Sequence, residues 1–344
     1  MGRRGTGAAR ESESRVSDKA LNVVCIGNAI VDVISRTDDA FLDAHGMVKG
    51  SMALIDDTVV HTLYADMPPG LESSGGSAAN TAAGIASFGG SVGFIGKVAD
   101  DQLGEVFTHD IRAIGVHYDP PAPPADQATA RCLILVTLDA QRTLNTFLGA
   151  SSLITPADVD PAVVASAAVV YCEGYLWDLP EAKEAMRSGM RAAHAAGSKV
   201  AFTLSDSFCV DRHRAEFLEL IEEHVDILFG NEDEIRSLYE VDTFEEAADR
   251  VRGHVEIACL TRSEKGSSVI TPDQQLDVPA APADVIDTTG AGDLYAAGFL
   301  YGHTNGHDLE TSARLGSLAA AEVISHLGAR PEVDLADLAK SILG

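Results

Sequence analysis

The sequence is poor in basic residues. Its 344 residues include 25 Lys and Arg against 52 Asp and Glu, which leaves a formal net charge of −27. A surface this acidic repels the phosphate backbone of nucleic acids and the head groups of anionic lipids. We therefore expect no nucleic-acid or membrane partner, and any phosphate-bearing substrate has to be held against an unfavourable overall field.

Cysteine pairs, zinc motifs and long apolar runs are also missing. The five cysteines form no CxxC pair and the 11 histidines form no HExxH motif. The longest apolar stretch, 162–172, is far shorter than the ~20 residues of a membrane-spanning helix. Arg3-Arg4 is not followed by the apolar segment that export signals carry. We therefore expect buried free thiols, a cytoplasmic location and a disordered leader at residues 1–20.

Short apolar runs alternate with longer helical segments from Leu21 onward. This alternation indicates an α/β fold with a doubly wound, mostly parallel sheet flanked by helices. The chain from residue 21 to residue 344 is expected to be a single domain. Its strands are predicted at Val23–Ile26, Val92–Ile95, Ala168–Cys172, Lys199–Thr203, Ile227–Phe229 and Glu256–Leu260. Its helices are predicted at Ser77–Phe88, Leu103–Ile114, Pro180–Ala196, Arg212–His224, Phe244–Arg252 and Leu309–Leu327.

Two segments break this alternation. Met52–Ile55 and Arg131–Phe147 have the character of strands without crossover helices, and Asp139-Ala140-Gln141 suits the turn of a hairpin. We expect these segments, within about 34–66 and about 126–148, to form a small β-strand lid over the carboxyl edge of the sheet.

The segment Asp287-Thr-Thr-Gly-Ala-Gly-Asp293 stands directly before an apolar, helix-compatible stretch. Its glycines allow the backbone N–H groups of Gly290, Ala291 and Gly292 to converge on an anion at the positive end of a helix. Asp293 is predicted to lie in the first helical turn, where its carboxylate can face the same anion. Such a carboxylate can take the proton of a hydroxyl while the N–H groups stabilise a phosphoryl group in transfer.

This segment can also be explained as a glycine-rich entry to a helix without catalysis. It does not match the dinucleotide fingerprint GxGxxG, because Tyr295 stands where that fingerprint requires a glycine. The sequence contains no GxxxxGK[ST] match either. A dinucleotide-binding enzyme and a P-loop NTPase are therefore excluded.

A second glycine-rich turn is found at Gly75-Gly76-Ser77-Ala78-Ala79-Asn80. Gly75 and Gly76 would let the backbone approach a sugar, and Asn80 offers a donor and an acceptor to a hydroxyl. By itself this pattern is also that of an ordinary strand-to-helix turn. In this order and on an α/β background, however, the two glycine segments resemble the two signatures of the ribokinase-like (PfkB) family of carbohydrate and nucleoside kinases. The resemblance covers Leu21 to about Leu338 and implies ATP as phosphoryl donor.

A third match is Asn231-Glu232-Asp233-Glu234, which follows a predicted strand. Carboxylate and amide oxygens at the carboxyl end of a strand suit Mg²⁺, although an acidic helix N-terminus has the same composition. The segment resembles the NxxE element of the family, which implies that Asn231 and Glu234 organise Mg²⁺, its waters and the nucleotide phosphates. Activation by a monovalent cation such as K⁺ near Asp287 is left open by the resemblance.

The resemblance implies further contacts with the nucleotide. Thr261, Arg262 and Gly266 stand where the family surrounds the adenine and ribose of ATP. Arg142, in the lid hairpin, resembles the arginine that reaches the transferring phosphate when the lid closes, although an exposed hairpin arginine would look the same in the sequence. Because no cluster of Lys and Arg marks a triphosphate site, we expect backbone N–H groups, a helix end and Mg²⁺ to hold the phosphate, with Arg142 as a late addition.

The acceptor is suggested by Gly27-Asn28-Ala29-Ile30-Val31-Asp32, which is similar to the adenosine kinase branch of the family. This similarity implies that Asn28 and Asp32, with Gly75, Gly76 and Asn80, hold a ribose. A carboxylate that accepts bonds from two vicinal hydroxyls is a geometry-specific sugar clamp. Sugar kinases of the family carry an Asp near this position too, and an Asp can simply cap a turn. The branch further implies that three side chains sandwich a purine, namely Leu54, Leu144 and Tyr175.

The sequence thus predicts a Mg²⁺- and ATP-dependent kinase that phosphorylates the primary (5′) hydroxyl of a ribonucleoside, with adenosine, converted to AMP, as first choice. The region around Met52 lacks an evident polar group to recognise the base edge, so inosine and guanosine stay open as acceptors. A sugar kinase acting on ribose or fructose also stays open, as does a catalytically silent nucleoside-binding protein, although the intact Asp293 argues against silence. Small molecules are the only partners expected, and the protein is expected to be a monomer or a homodimer.

Overall fold

The computed structural model describes residues 19–139 and 141–344. The strands are β1 Leu21–Ile26, β2 Ile30–Arg36, β3 Met52–Leu54, β4 Leu71–Gly75, β5 Val92–Ile95, β6 His117–Tyr118, β7 Ala130–Val136, β8 Arg142–Phe147, β9 Ala167–Glu173, β10 Lys199–Thr203, β11 Ile227–Asn231, β12 Ile257–Thr261, β13 Ser267–Ile270 and β14 Gln275–Val278. The helices are α1 Asp39–Ala44, α2 Asp57–Asp66, α3 Ser77–Ser87, α4 Gln102–Ala113, α5 Pro161–Ala165, α6 Pro180–Ala195, α7 Ser207–His224, α8 Glu232–Tyr239, α9 Phe244–Val251, α10 Ala291–Thr304, α11 Leu309–Val323 and α12 Leu335–Leu343. Most of the predicted leader and Ala140 of the predicted hairpin turn lie outside the described residues.

The larger sheet has nine strands in the order β14-β13-β12-β11-β10-β9-β1-β5-β6. The strands from β12 to β6 run parallel, and β13 and β14 are antiparallel at one edge. Helices cover both faces, α3, α10 and α11 on one and α6, α7 and α9 on the other. Apolar runs such as Val23–Ile26 are therefore fully buried. The predicted α/β class and doubly wound, mostly parallel sheet are confirmed.

Some predicted helix ends are wrong by a few residues. Helix α7 begins at Ser207 rather than Arg212, because the Asp206 carboxylate caps it by accepting a bond from the Cys209 N–H. Helix α11 ends at Val323, and the chain then turns towards the segment that precedes α10, where the Ile286 N–H donates to the Ile324 carbonyl. Neither interaction is visible as an apolar period in the sequence.

The second sheet has the strand order β3-β8-β7-β2-β4. It contains the strands predicted for the lid and also β2 and β4, which extend beyond the predicted lid segments. Strand β4 has the sequence LESSG, which lacks the β-branched and aromatic residues that mark a strand. Its pairing with β2 therefore arises from tertiary contacts rather than from local strand propensity. The assignment of a single domain, with the predicted bounds of the lid segments, stays a prediction.

One face of this second sheet packs into the core and the other carries predicted site residues. Val31, Val33 and Leu133 lie in the main hydrophobic cluster. On the opposite face, one row across the sheet consists of Asp32, Cys132, Thr146 and Leu54. The neighbouring rows consist of Ile34, Ile134, Leu144 and Met52, and of Arg36, Val136 and Arg142. The second sheet thus presents a sugar-binding candidate, two base-binding candidates and the lid arginine on one face.

All five cysteines are buried and unpaired, as predicted. Among the described helices, none is both long and apolar enough to cross a membrane. The described residues also contain no group of three or more His, Cys, Asp or Glu side chains arranged to hold a metal ion.

Candidate active site

The two glycine-rich segments, distant in sequence, meet at Asp293. This residue lies in the first turn of α10, as predicted. Its Oδ1 accepts a hydrogen bond from the Ser77 hydroxyl at 2.6 Å, and its Oδ2 accepts one from the Asn80 amide at 3.0 Å. Ser77 and Asn80 belong to the first turns of α3. The start of α3 therefore fixes the carboxylate at the start of α10, a role for Ser77 that the sequence did not reveal.

The environment of Asp293 prepares it to take up a proton. Burial raises the pKa of its carboxyl group, while the bonds from Ser77 and Asn80 and the positive charge of Arg330 lower the pKa. Buried carboxylates with raised pKa values that stay hydrogen-bonded are typical general bases.

The glycine loop leaves the start of α10 open. Gly290 has φ of 79°, and a Cβ at this position would lie 2.8 Å from the Ala329 Cβ. A Cβ at Gly292, in contrast, would have no atom within 4 Å beyond its chain neighbours and the adjacent helix backbone. The first bond inside the helix runs from the Leu294 N–H to the Gly290 carbonyl at 2.9 Å, so the N–H groups of Gly292 and Asp293 have no acceptor within the helix. A helix N-terminus that faces free space is suited to an anion.

Of the three backbone donors predicted for this anion, one is already engaged. The Ala291 N–H donates to the Thr288 carbonyl at 3.3 Å. The open donors are thus those that flank Ala291, together with the N–H of Asp293. The assignment of Gly290, Ala291 and Gly292 as anion-binding residues stays a prediction.

The turn at Gly75-Gly76 requires glycine for packing. A Cβ at Gly75 would lie 2.3 Å from Oδ2 of Asp32, and a Cβ at Gly76, which has φ of 95°, would lie 2.3 Å from the Asn28 carbonyl oxygen. Because Gly75 and Gly76 have no side chains, the Asp32 carboxylate has room to lie at the start of α3.

Asp32 shares an electrostatic environment with Asp293. Burial raises the pKa of Asp32 to about 6, the charges of Arg330 and Arg142 lower it, and the charge of Asp293 raises it. The two carboxylates therefore influence each other electrostatically.

Asn28 and Asn80, the two asparagines predicted to bind the substrate, differ in whether their side chains have unused hydrogen-bonding atoms. The Oδ1 atom of Asn80 is buried and has no hydrogen-bond partner in the described structure. The Asn28 side chain instead donates to Glu173 at 2.7 Å and accepts from the Ser151 hydroxyl at 2.8 Å. Asn80 can thus still accept a bond from a hydroxyl, whereas Asn28 is engaged within the protein. Substrate contacts by either residue stay predictions.

Glu173 is a buried residue that the sequence reasoning missed. It ends β9 and accepts bonds from the Asn28 N–H at 2.8 Å, the Asn28 amide and the Ala78 N–H at 2.7 Å. Burial raises its pKa to about 7, the three bonds lower the pKa, and the nearby charge of Asp293 raises it. It joins the β1–β2 connection to α3 beneath the site. The sequence feature that could have indicated this role is a carboxylate placed directly after an apolar strand.

We expect Glu173→Ala to lower the free energy of unfolding by about 3 kcal/mol or more, because three donors lose their buried acceptor at about 1 kcal/mol or more each. Urea denaturation measures the change. The matched control is Glu181→Ala on the exposed surface of α6, for which we expect a change within about 0.5 kcal/mol. A loss as small for Glu173→Ala as for the control would contradict this role.

The lid arginine already contacts the second glycine segment. Nη1 of Arg142 lies 2.6 Å from Oδ2 of Asp287 and 3.2 Å from the Thr289 hydroxyl. The Arg142 side chain is only 9% exposed, so it is not a solvated hairpin arginine. Its Nε and Nη2 atoms are buried without a partner in the described structure. Those two donors remain for oxygen atoms of a ligand.

Asn231 and Glu234 form a reciprocal cap at the start of α8. Asn231 accepts bonds from the N–H groups of Asp233 and Glu234, and Glu234 accepts from the N–H and amide of Asn231. Burial raises the pKa of Glu234 to about 7, and the charges of Asp206, Asp233 and Asp293 raise it further. Carboxylates crowded in this way fit a nearby cation. Because few protein groups here could bind a cation directly, Asn231 and Glu234 would hold Mg²⁺ through water, with phosphates as its main ligands, and this role stays a prediction.

The predicted base contacts lie at different places. Tyr175 donates its hydroxyl to the Ser205 carbonyl at 3.2 Å, on the side of the acidic residues that follow β10 and β11. Leu54 and Leu144 belong to the lid face, where Leu54 is 52% exposed and Leu144 is partly buried. Contacts of these residues with a purine stay predictions.

The residues predicted to surround the adenine and ribose of ATP also have structural roles within the protein. The Arg262 Nε donates to Glu232 at 3.1 Å, and its guanidinium lies 3.7 Å from the centre of the Phe244 ring. A Cβ at Gly266, which has φ of 90°, would lie 2.0 Å from the Val278 carbonyl oxygen. Thr261 ends β12. The nucleotide contacts of these residues stay predictions.

Comparison with known proteins agrees with this geometry. Residues 68–335 match the family model described as pfkB family carbohydrate kinase, which includes both glycine segments. A probable sugar kinase protein from Rhizobium etli CFN 42 is 50% identical with a TM-score of 0.88, over 94% of this chain and 98% of that chain. The structure of adenosine kinase from Sinorhizobium meliloti is 51% identical with a TM-score of 0.87, over 93% of this chain and 99% of that chain.

A curated relative bears a different substrate in its name. The 5-dehydro-2-deoxygluconokinase of Bacillus subtilis (strain 168) is 26% identical over 326 residues, which is 90% of this chain and 91% of the relative. Together, the family match and the structural similarity confirm the ribokinase-like fold predicted from the two glycine segments.

Proposed function

Since the chain belongs to the pfkB family of carbohydrate kinases, and is thus a phosphotransferase with an alcohol group as acceptor, we propose that it transfers the γ-phosphoryl group of ATP to the 5′ hydroxyl of adenosine. The observation that carries the chemistry is the Asp293 carboxylate, which Ser77 and Asn80 hold beside the open start of α10. A base and an anion-binding helix end thus lie next to each other.

The reaction follows from this arrangement. The acceptor hydroxyl loses its proton to Asp293 while its oxygen forms a bond to the γ-phosphorus. The bond from that phosphorus to the β–γ bridging oxygen breaks, and ADP leaves with the electron pair. The N–H groups of Gly292 and Asp293 stabilise the negative charge on the phosphoryl oxygens. Mg²⁺, when bound, neutralises charge on the phosphates, and Asn231 and Glu234 would hold its waters.

Adenosine is favoured over a bare sugar by the lid face. This face presents Leu54 in the same row as Asp32, and Met52 and Leu144 in the adjacent row. Leu54 and Met52 are 52% and 46% exposed, so apolar surface is available beside the carboxylate proposed to bind the ribose. A purine that covers such surface gains binding energy that a sugar alone does not. The 51% identity to the Sinorhizobium meliloti adenosine kinase supports the same choice.

A sugar kinase is the second candidate. The names of the Rhizobium etli protein and of the Bacillus subtilis relative favour it. In that case Asp32 and Asn80 bind sugar hydroxyls, and the apolar lid residues contribute little.

The affinity for adenosine is expected to weaken as the pH falls through about 6. Burial raises the pKa of Asp32 from its ordinary value to about 6, and the protonated carboxyl group can no longer accept bonds from both ribose hydroxyls. The ionised, binding form therefore prevails above this pKa and is lost below it. Calorimetric titration between pH 5 and pH 8 measures the dissociation constant. A constant that stays level down to pH 5 would exclude Asp32 as the ribose clamp.

An acceptor panel tests the proposed function. ADP release from Mg-ATP is measured with adenosine, inosine, guanosine, ribose, fructose and 5-dehydro-2-deoxygluconate in turn. We expect adenosine to give the highest kcat/KM. Turnover of a sugar without turnover of any nucleoside would replace the proposal with the second candidate. Adenosine binding without any ADP release would indicate a binding protein.

A further inference from the structure

Arg330 lies in the turn that packs against the glycine loop. The turn begins at Gly328, whose N–H donates to Oδ2 of Asp287 at 3.1 Å. Ala329 lies so close to Gly290 that a Cβ on the glycine would lie 2.9 Å from the Ala329 Cα. Arg330 is the next residue, so its backbone is fixed relative to the anion-binding start of α10.

The guanidinium of Arg330 has unused donors. Its Nε and Nη2 atoms are buried and make no hydrogen bond in the described part of the chain. Burial lowers the pKa of Arg330 to about 10, and the charges of Asp32, Asp293 and Asp110 raise it, so the group is positively charged at neutral pH. Buried charged donors without a partner are costly and are rarely left so in a complete site.

The charge of Arg330 affects the pKa of two acidic residues of the site, although neither residue is hydrogen-bonded to its buried donors. Arg330 lowers the pKa of both Asp32 and Asp293. Within the described residues, however, the Nε and Nη2 atoms of Arg330 donate to neither carboxylate. Both carboxylates thus feel the charge of Arg330, but neither accepts a hydrogen bond from its buried Nε and Nη2 atoms.

We propose that Arg330 binds the phosphoryl group while it passes from ATP to the acceptor, as a second guanidinium beside Arg142. This assignment rests on the proposed phosphoryl transfer at Asp293. A planar guanidinium offers parallel N–H donors that match the oxygens of a phosphoryl group. Arg330 stays protonated throughout, and the bonds made and broken are those of the transfer itself.

The assignment also explains how an acidic protein holds phosphate. Asp32 and Asp293 place negative charge where the phosphoryl group has to arrive. Arg142 comes from the lid and Arg330 from the turn after α11, and both Arg142 and this turn contact Asp287. Two separate segments, the lid and the turn after α11, thus each supply a cation next to the glycine loop. From the sequence, the phosphate was expected to be held by backbone N–H groups, a helix end and Mg²⁺, with Arg142 as a late addition and no role for Arg330.

Arg330→Gln tests the assignment, with Arg330→Lys as the charge-retaining variant and Arg191→Gln as the control. Arg191 is an exposed arginine of α6 that pairs with Glu184. Turnover is measured with whichever alcohol of the panel the wild-type protein phosphorylates, so a wrong acceptor and a wrong role of Arg330 give different results. We expect Arg330→Gln to lower kcat by roughly 10²- to 10³-fold, with less than about a threefold change in the dissociation constant of the acceptor. Arg330→Lys should recover part of the rate, and Arg191→Gln should match wild type.

Two results would overturn the assignment. One is a kcat for Arg330→Gln within about threefold of wild type. The other is a normal kcat with weakened acceptor binding, which would make Arg330 part of the acceptor pocket. A second measurement tests the assignment if no alcohol supports turnover or if Arg330→Gln does not fold. The dissociation constants of Mg-ATP and Mg-ADP are then measured for Arg330→Lys and for the wild-type protein. A phosphoryl contact requires Arg330→Lys to weaken ATP binding more than ADP binding, and an equal effect on both nucleotides excludes it.

Discussion

Asp293→Asn is expected to lower turnover by roughly 10²- to 10⁴-fold while leaving the protein folded. The amide cannot take the proton of the acceptor hydroxyl, so the chemical step loses its base. Ser77 can still donate to the Asn oxygen. Asn80 can turn its own amide and offer its unpartnered Oδ1 to the new N–H group. The hydrogen-bonded frame is thus retained, and the dissociation constant of adenosine should change little.

The measurement combines steady-state kinetics with calorimetric titration of adenosine. The matched control is Asp249→Asn, which removes one negative charge from an exposed position of α9. We expect the control to keep the wild-type rate. A rate for Asp293→Asn close to that of the control would refute the general-base assignment, whichever alcohol is the acceptor.

Gly292→Ala is expected to lower kcat/KM for ATP by at least roughly 10²-fold without loss of stability. Beyond its chain neighbours and the adjacent helix backbone, a methyl group at this position meets no atom within 4 Å, so it creates no clash with the rest of the protein. It would occupy the space in front of the N–H groups that are proposed to bind the phosphoryl oxygens. Because Ala favours a helix over Gly by about 1 kcal/mol, the variant should be as stable as wild type or slightly more stable.

Gly290→Ala provides the contrast to this variant. Here the methyl group would meet the Ala329 Cβ and Cα, and the residue has φ of 79°, where Ala costs about 1 kcal/mol or more. We expect Gly290→Ala to lose both stability and activity, whereas Gly292→Ala loses activity alone. Thermal unfolding together with kinetics separates the two. Normal activity of Gly292→Ala would show that no ligand approaches the start of α10.

The large sheet was predictable because its strands are continuous apolar runs that helices cover on both faces. Val92–Ile95 and Lys199–Thr203 were predicted with the bounds that the structure shows. Strand β4 was not predicted, because LESSG has no strand-forming composition and pairs with β2 only in the folded protein. Local composition thus identifies strands that are buried on both faces, and it does not identify strands that form only because of tertiary contacts.

The site was predicted in part for the same reason. Asp293 and Asn80 stand in short motifs with spacings that can be read directly, and the structure joins them. Glu173 and Arg330 stand in no motif. Their roles depend on what lies next to them in space, namely the Asn28 and Ala78 N–H groups for one and the glycine loop for the other. A single sequence does not contain that information.

The central claim is most directly tested by identifying the product formed from adenosine and ATP labelled in the γ-phosphoryl group. The wild-type protein is incubated with Mg-ATP and equal concentrations of adenosine and 5-dehydro-2-deoxygluconate, and the labelled products are separated and identified. The proposed function predicts that the label appears in AMP, at the 5′ oxygen, and that Asp293→Asn abolishes its formation. Label found only in the phosphorylated sugar acid would contradict the proposal and identify the protein as a sugar kinase.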